Sequence, residues 1–561
     1  MNELVIHPGL LLIAGALLLP LVSVGMRSLL QLALPLLALS LVWQVPDGAV
    51  WQLHYLDYTL TPLQGDNLSR LFATIFSLAA FAGGLFALKQ SSRLEITSAY
   101  VYAGAAISVV LAGDLITVFV FWEIMALGST LVLWSSATAA SGRAAHRYLI
   151  VHLLGGVLLL AGITGHVQHT GDLAFSAMQA DSWSAWLILA GFLLNAGAPP
   201  LSAWLPDAYP EASWSGTVFL SAFTTKTAVY TLIRGFPGEP LLIWIGLFMV
   251  FYGIVFALLE NDMRRILAYS IVNQVGFMVA GIGIGTELAL NGAAAHAFTH
   301  IIYKALLLMS AGAVLMQTGR SKCSELGGLF HSMPLTTLCA CIGALAISSF
   351  PLTSGFISKS MISQAAADEH LLWVWLLMTA ASAGVFLHAG IKFPWFVFFQ
   401  KDSGLRPAEP PQSMRWAMIL LSALCIGLGI WPEWLYQLLP YESTYVPYTA
   451  PHVVAQLQLL LFSGLAFFVL LTYLKRTLTI TLDTDWLWRR GTPALIRWGL
   501  AIWAPIANAL KQLRAMVTRY LRDGIAGHLG DAGTQAKTWS LAAMGLVVLV
   551  MLIVQLLLLI H

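Results

Sequence analysis

Long apolar stretches alternating with short polar ones fill this chain from end to end. Runs long enough to cross about 30 Å of hydrocarbon fall near 4–25, 28–44, 67–88, 98–113, 114–136, 147–168, 184–205, 214–234, 241–260, 264–285, 290–318, 335–366, 371–399, 414–434, 454–474 and 538–560. The pattern predicts sixteen membrane spans. Two of them are interrupted: Ala198-Pro199-Pro200 lies inside 184–205, and Ser348-Ser349-Phe350-Pro351, followed by Gly355, lies inside 335–366. Proline removes a backbone donor and clashes with the preceding turn, so both helices are expected to break near mid-membrane. Counted from the fourth span, five spans end near 234 and five more near 399, each set broken in its fourth member. That pattern predicts inverted repeats, with a transport pathway along the broken segments.

The expected organisation is therefore N-terminal transmembrane helices over 1–97, a first repeat over 98–234, a second over 241–400, and further transmembrane helices over 401–475. A surface segment over 476–537 and a terminal span over 538–561 complete it. The fold class is an all-α polytopic membrane protein with about 14 core transmembrane helices, two inverted five-helix repeats, two broken helices and a C-terminal extension. Within the extension, residues 483–525 mix Arg, Lys and Trp with Leu, Ile and Met. Two readings fit: an amphipathic element lying on the cytoplasmic surface, or a basic tether before the last span.

Composition agrees. The 561 residues are 58% hydrophobic and 10% charged, against about 25% charged in soluble domains. A net charge of +2 gives no reason to expect a nucleic-acid partner. Loop charge does carry information. With the N-terminus outside, the cytoplasmic loops hold Arg27, Lys89/Arg93, Arg143/Arg147, Arg264/Arg265, Arg320/Lys322, Lys401/Arg406 and Lys475/Arg476, while the opposite loops are mainly acidic. Residues 4–25 form a span without a basic leader or a small-residue cleavage site, so no cleaved signal is expected. The four cysteines form no CxxC pair or Cys/His ligand cluster, and the chain lacks GxGxxG and GxxxxGK[ST] loops. No metal, redox centre or nucleotide cofactor is expected in this chain.

What remains is a set of titratable residues at membrane depth: Glu123, Lys226, Lys304 and Lys359. Each costs a few kcal/mol or more in hydrocarbon, which points to a proton or ion path or to structural ion pairs between helices. His296, His300 and Lys304 follow at i, i+4 and i+8, on one helix face. His388 and Lys392 repeat the i, i+4 spacing, although Lys392 is near enough to a helix end to snorkel. Lys359 sits just past the second break, where unwound backbone and Ser358 are expected to solvate it. For His152, a helix-pairing hydrogen bond and a relay role fit equally well. Two charges about 10 Å apart at an effective dielectric of about 20 interact by roughly 1.7 kcal/mol, more than one pKa unit. Protonating one such site therefore biases the next.

The stretches FWEIM around Glu123, WLPDAYPEAS at 204–213, AFTTKTAVY around Lys226, NDMRRILAYSIVNQVGF at 261–277, HAFTHIIYKALLLMSAG at 296–312 and FPLTSGFISKSM at 350–361 resemble one family. It is that of the antiporter-like subunits shared by respiratory complex I, membrane-bound hydrogenases and Mrp-type sodium/proton antiporters. The resemblance implies that Glu123 matches a glutamate normally paired with a lysine, and that Lys226 is the linking lysine of the first half. It further implies that His300 and Lys304 form the central relay and that Lys359 is the terminal group facing a neighbouring subunit. One departure stands out: Leu193-Leu-Asn195-Ala-Gly-Ala-Pro-Pro carries Asn195 where the family usually has the partner lysine. This leaves Glu123 unpaired or coupled directly to Lys226. The likeness is strongest to the D-type Mrp subunit.

The resemblance implies a proton-translocating subunit of a multisubunit Na+/proton antiporter, working with other membrane subunits in the inner cell membrane. The alternative is the proton-pumping membrane subunit of a complex I-like or hydrogenase assembly. A third reading, which Asn195 favours, is a scaffold that keeps the fold without a closed relay.

Overall fold

The computed structural model describes residues 5–473, 483, 486–529 and 539–559. The chain forms two compact units, Met1–Thr484 and Asp485–His561. The first opens with α1 (Pro8–Leu18), α2 (Val24–Val42), a hairpin of β1 (Gly48–Tyr55) and β2 (Tyr58–Gly65), and α3 (Asn67–Phe86). Then come α4 (Arg93–Val110), α5 (Leu115–Trp134), α6 (Ala139–Thr170), α7 (Trp183–Ala196), α8 (Trp204–Ala208), α9 (Gly216–Ala222) and α10 (Thr224–Gly235). The next group is α11 (Leu241–Leu259), α12 (Met263–Ile284), α13 (Glu287–Thr318), α14 (Pro334–Ile347), α15 (Ser354–Asp368) and α16 (Leu372–Val385). The unit closes with α17 (Gln412–Ile430), α18 (Glu433–Tyr436) and α19 (Ala450–Val469). Eleven helices among the described residues are long and apolar enough to cross a membrane, and α1, α7 and α14 are shorter apolar helices. The helix α12 and nearly all of α13 are enclosed by the others, so the titratable residues on α13 are shielded from lipid.

The hairpin is an addition to the helical architecture expected from the sequence. Its strands pair antiparallel, Leu53 opposite Leu60 and Tyr55 opposite Tyr58, around a two-residue tip whose Leu56 adopts φ 53°.

Both expected helix breaks are present. The first follows α7, which ends on Gly197 at φ 81°, a left-handed cap that glycine takes without a Cβ clash. The second separates α14 from α15 and holds Ser349 at φ 58° and Leu352 at φ 68°. The following turn packs so closely that a Cβ on Gly355 would lie 1.9 Å from the Ala346 carbonyl oxygen.

Three of the predicted runs take a form the apolar pattern did not show, although 371–399 is borne out as a candidate span over Leu372–Phe399. The run 214–234 is not one span: it breaks at Phe223 (φ −105°, ψ −66°) into α9 and α10. No proline or glycine causes this break; side-chain hydrogen bonds described below take the carbonyls it frees. The run 371–399 leaves α geometry after Val385 and continues as π-helical turns over Phe386–Lys392 and Trp395–Phe399. Within 4–25 the helix α1 is 11 residues long, and α2 already begins at Val24.

In the second unit, α20 (Trp486–Leu529) runs for 44 residues through Pro493 and Pro505, and α21 (Leu541–Leu559) is apolar but for Gln555. The described part of the basic stretch is thus helical. Residues 476–482, 484–485 and 530–537 of the predicted surface segment lie outside the described residues.

Candidate proton path

The second half builds a hydrogen-bonded core around α13, where His296, His300 and Lys304 are all fully buried. His296 Nδ1 lies 3.0 Å from Ser358 Oγ on α15, and its Nε2 lies 3.0 Å from Gln274 Oε1 on α12. Tyr303 OH donates to Gln274 Oε1 at 3.3 Å, and Thr299 Oγ1 is 2.8 Å from Ser358 Oγ. One imidazole therefore ties three helices together. Lys304 Nζ donates to Ser270 Oγ on α12 at 2.8 Å. Neither ring nitrogen of His300 has a hydrogen-bond partner, although its ring lies 5.2 Å from that of Tyr303 and 6.3 Å from that of His296. Buried polar atoms in this condition are costly unless a neighbour or ordered water satisfies them.

Lys226 uses the break in its own helix. A broken helix leaves carbonyls without amide donors; Tyr209 OH donates to Leu220 O at 2.7 Å, and Lys226 Nζ donates to Ser221 O at 2.7 Å and to Thr225 Oγ1 at 3.1 Å. On the other side of the break, the Thr224 amide donates to Tyr102 OH at 2.8 Å. Lys226 is fully buried and lies within electrostatic reach of His296, His300 and Lys304.

Lys359 departs from expectation. It sits one turn inside α15 rather than on unwound backbone, and Ser358 turns to His296 instead of to it. Its Nζ has no hydrogen-bond partner and lies 4.7 Å from the centre of the Phe277 ring, a cation–π geometry. His296 lies within its electrostatic reach.

Glu123 is half-buried on α5, on the same flank as the exposed Val120 and Leu127. Its carboxyl rests over α6 at Gly156, where a Cβ would come 1.9 Å from Oε1, and Oε1 has no hydrogen-bond partner. Lys226 is engaged with Ser221 and Thr225 and makes no ion pair with it. Asn195 does not contact Glu123 by hydrogen bond either: its Oδ1 lies 2.8 Å from His152 Nδ1. His152 Nε2 and Asn195 Nδ2 are left without partners. The His152 ring packs on Tyr148 at 4.1 Å and on Trp204 at 4.6 Å, and Tyr148 OH reaches Ser129 Oγ at 3.0 Å and Thr224 Oγ1 at 3.4 Å. A polar thread thus runs from Asn195 through His152, Tyr148 and Thr224 to the break that holds Lys226.

Two predicted members have local roles. Lys392 is buried and does not snorkel; its Nζ donates to the carbonyls of Ala257, Leu258 and Glu260 at 3.1, 2.5 and 2.6 Å, closing the C-terminus of α11. His388 Nδ1 donates to Gly384 O at 2.8 Å, leaving Nε2 without a partner.

Sequence reasoning passed over four contributors: Gln274, Tyr303, Ser270 and Glu95. The first three belong to apolar runs whose isolated polar residues were the available signal. Glu95 looks like a loop charge at the start of α4, yet it is buried, its Oε1 accepting from Ser213 Oγ at 2.8 Å and Gln90 Nε2 at 3.2 Å and its Oε2 from Ser135 Oγ at 3.2 Å. The shared motif around Arg264 is architectural: the guanidinium donates to the carbonyls of Tyr209, Ala212 and Ser213, pinning the loop between α8 and α9 against α12.

Buried lysine and histidine side chains beside broken helices place these groups inside a bundle of membrane-crossing helices. Residues 112–384 match the family described as NADH:quinone oxidoreductase/Mrp antiporter, TM. The chain is 31% identical over 429 residues to the D-type Na(+)/H(+) antiporter subunit of Alkalihalophilus pseudofirmus, covering 70% of this chain and 83% of that protein. It is 31% identical over 402 residues to the probable A/B-type K(+)/H(+) antiporter subunit of Rhizobium meliloti, covering 66% of this chain but only 40% of that longer protein. Its fold matches a chain in the structure of the Mrp complex from Dietzia sp. DQ12-45-1b with a TM-score of 0.77 and 22% identity, over 98% of this chain and 62% of that one. The chain belongs to the NADH:quinone oxidoreductase/Mrp antiporter membrane-subunit family.

Proposed function

We propose that this chain is the proton-translocating subunit of a multisubunit monovalent cation/proton antiporter of the Mrp type. The observation that carries the reading is the buried polar series from Lys226 through His300, Lys304 and His296 to Lys359. In this account His152, Tyr148 and Thr224 feed Lys226, ordered water bridges the unpartnered nitrogens of His300, and each protonation biases the next site electrostatically. Lys392 holds α11 and lies off the path. Similarity to sodium and potassium antiporter subunits supports Na+ or K+ as the exchanged ion.

The chain lies in the cell membrane with its N-terminus outside, which puts the Arg-rich loops in the cytoplasm. Other membrane subunits cover the exposed flank around Glu123, so that this half-buried carboxyl faces a partner rather than lipid. The test is proton movement in inside-out vesicles carrying the assembled complex. Pulses of Na+ or K+ should collapse a preformed pH gradient. A gradient indifferent to both ions, in vesicles that contain the complex, contradicts the antiport reading and favours the redox-driven branch of the family.

A further inference from the structure

Beyond Lys359 the path needs a way to bulk water, and two cavities meet there. The first, about 350 Å³, opens between α15, α16 and α19 and is lined by Lys359, Ser360, Ser363, Ser382, His452 and Gln456 among others. The second, about 600 Å³, is a polar vestibule at the chain's acidic end, lined by Glu287, Asn291, Asp368, Glu442, Thr449 and His452 among others. His452 is the wall they share. The ammonium of Lys359, a residue only 2% exposed and without a hydrogen-bond partner at Nζ, borders the first; three carboxylates border the second.

The imidazole between them is held in a set orientation. His452 lies in the first turn of α19, its ring stacked on Phe356 at 4.5 Å with 19° between planes. Its Nδ1 is 2.8 Å from the Pro447 carbonyl oxygen. A carbonyl only accepts, so Nδ1 carries the hydrogen and Nε2 is the nitrogen that gains and loses a proton. Gln456, one turn further along, donates to the Ser348 carbonyl freed by the helix break and keeps α19 against the cavity. The charged groups that face this site are Lys359 and Asp368 from α15, Glu287 from α13 and Glu442 from the loop before α19. An ammonium lies on one side and carboxylates on the other, a field that draws a cationic proton toward the vestibule.

We propose that His452 is the proton-transfer residue joining Lys359 to the acidic vestibule. For release, the Lys359 ammonium loses one proton through the hydroxyl-lined cavity to His452 Nε2. The imidazolium then passes one proton to a vestibule carboxylate or water and returns to its starting tautomer. Uptake runs the same steps in reverse, and no other reactant is consumed. The inference rests on the reading of Lys359 as the terminal group of the path.

The experiment measures Na+- and K+-dependent proton flux in vesicles carrying the complete complex, with the wild type, His452→Ala, and His452→Ala plus free imidazole. Loss of the shuttle should slow flux by about tenfold or more, and imidazole should restore most of it without changing the amount of assembled complex. Wild-type flux in His452→Ala overturns the proposal, as does a loss that imidazole leaves untouched, since that is a packing defect. A wild type that moves no protons contradicts the antiport reading instead. If His452→Ala fails to assemble, Ser363→Cys probes the route: a membrane-impermeant thiol reagent should label it above the parent's background from the vestibule face alone. Absence of that labelling overturns the connection.

Discussion

The two halves of the bundle differ in how their buried polar groups are joined. Around α13 the second half ties several into one network: His296 bridges Gln274 and Ser358, Tyr303 joins the same glutamine, and Lys304 takes Ser270, while His300 and Lys359 Nζ stay without partners beside it. Around α6 the first half is open: Glu123 Oε1, His152 Nε2 and Asn195 Nδ2 have no partners, Glu123 half-buried beside an exposed flank and the other two deep in the bundle. A satisfied network is rigid and transmits a change in charge. An unsatisfied one is costly until something completes it. The second half therefore holds a connected hydrogen-bonded network, while the first holds polar atoms that no side chain of the chain joins.

Breaking the network around α13 should cost most. Gln274→Ala strips His296 Nε2 and Tyr303 OH of their shared acceptor. Cation-dependent proton flux is expected to fall by about tenfold or more, and the folded bundle to lose about 1–3 kcal/mol, read as a lower Tm. Asn195→Ala in the open half should have a smaller effect on flux, because His152 retains its packing on Tyr148 and Trp204.

Gly156→Ala tests the open half more sharply. The added Cβ would land 1.9 Å from Glu123 Oε1, so the carboxyl must swing off α6; flux should fall several-fold with normal assembly. If flux is unchanged, Glu123 does no work in that position. Asn195→Lys should convert the lone carboxyl into an ion pair, visible as a shift of its infrared band, and an unshifted band counts against any communication between positions 195 and 123.

The smallest effect is structural. Asp66, at the N-cap of α3, is disfavoured as a carboxylate by burial, but Arg234 overrides this by ion pairing and the Ser69 amide adds to it, so its carboxyl titrates below the usual range. A depressed folded-state pKa stabilises the fold above the unfolded value, about 4, and that contribution fades as pH falls through the folded value. Asp66→Asn should flatten the acid side of the stability curve and leave the neutral region's slope unchanged, as thermal melts across pH would register.

Much of this was legible in the chain. Pro199-Pro200 and Phe350-Pro351 announced their breaks because proline removes a donor wherever it lies. The break at Phe223 was not, since Ser221-Ala-Phe-Thr-Thr225 has no breaker; the hydroxyls of Tyr209 and Tyr102 and the ammonium of Lys226, brought there by tertiary packing, make it tolerable. The hairpin hid in plain alternation, Trp51-Gln-Leu-His-Tyr55, inside a stretch too polar to span. Lys392 matched the spacing of a relay, yet the carbonyls it caps lie more than a hundred residues away. Asn195 was visible as a missing lysine, but that His152, 43 positions earlier, meets it is a fact of helix packing.

Lys226→Ala tests the central claim most directly, because this buried side chain of the first half lies within electrostatic reach of His296, His300 and Lys304 in the second. With assembly at wild-type level, the account predicts that Na+- and K+-dependent proton flux is lost. Flux at the wild-type rate would contradict it.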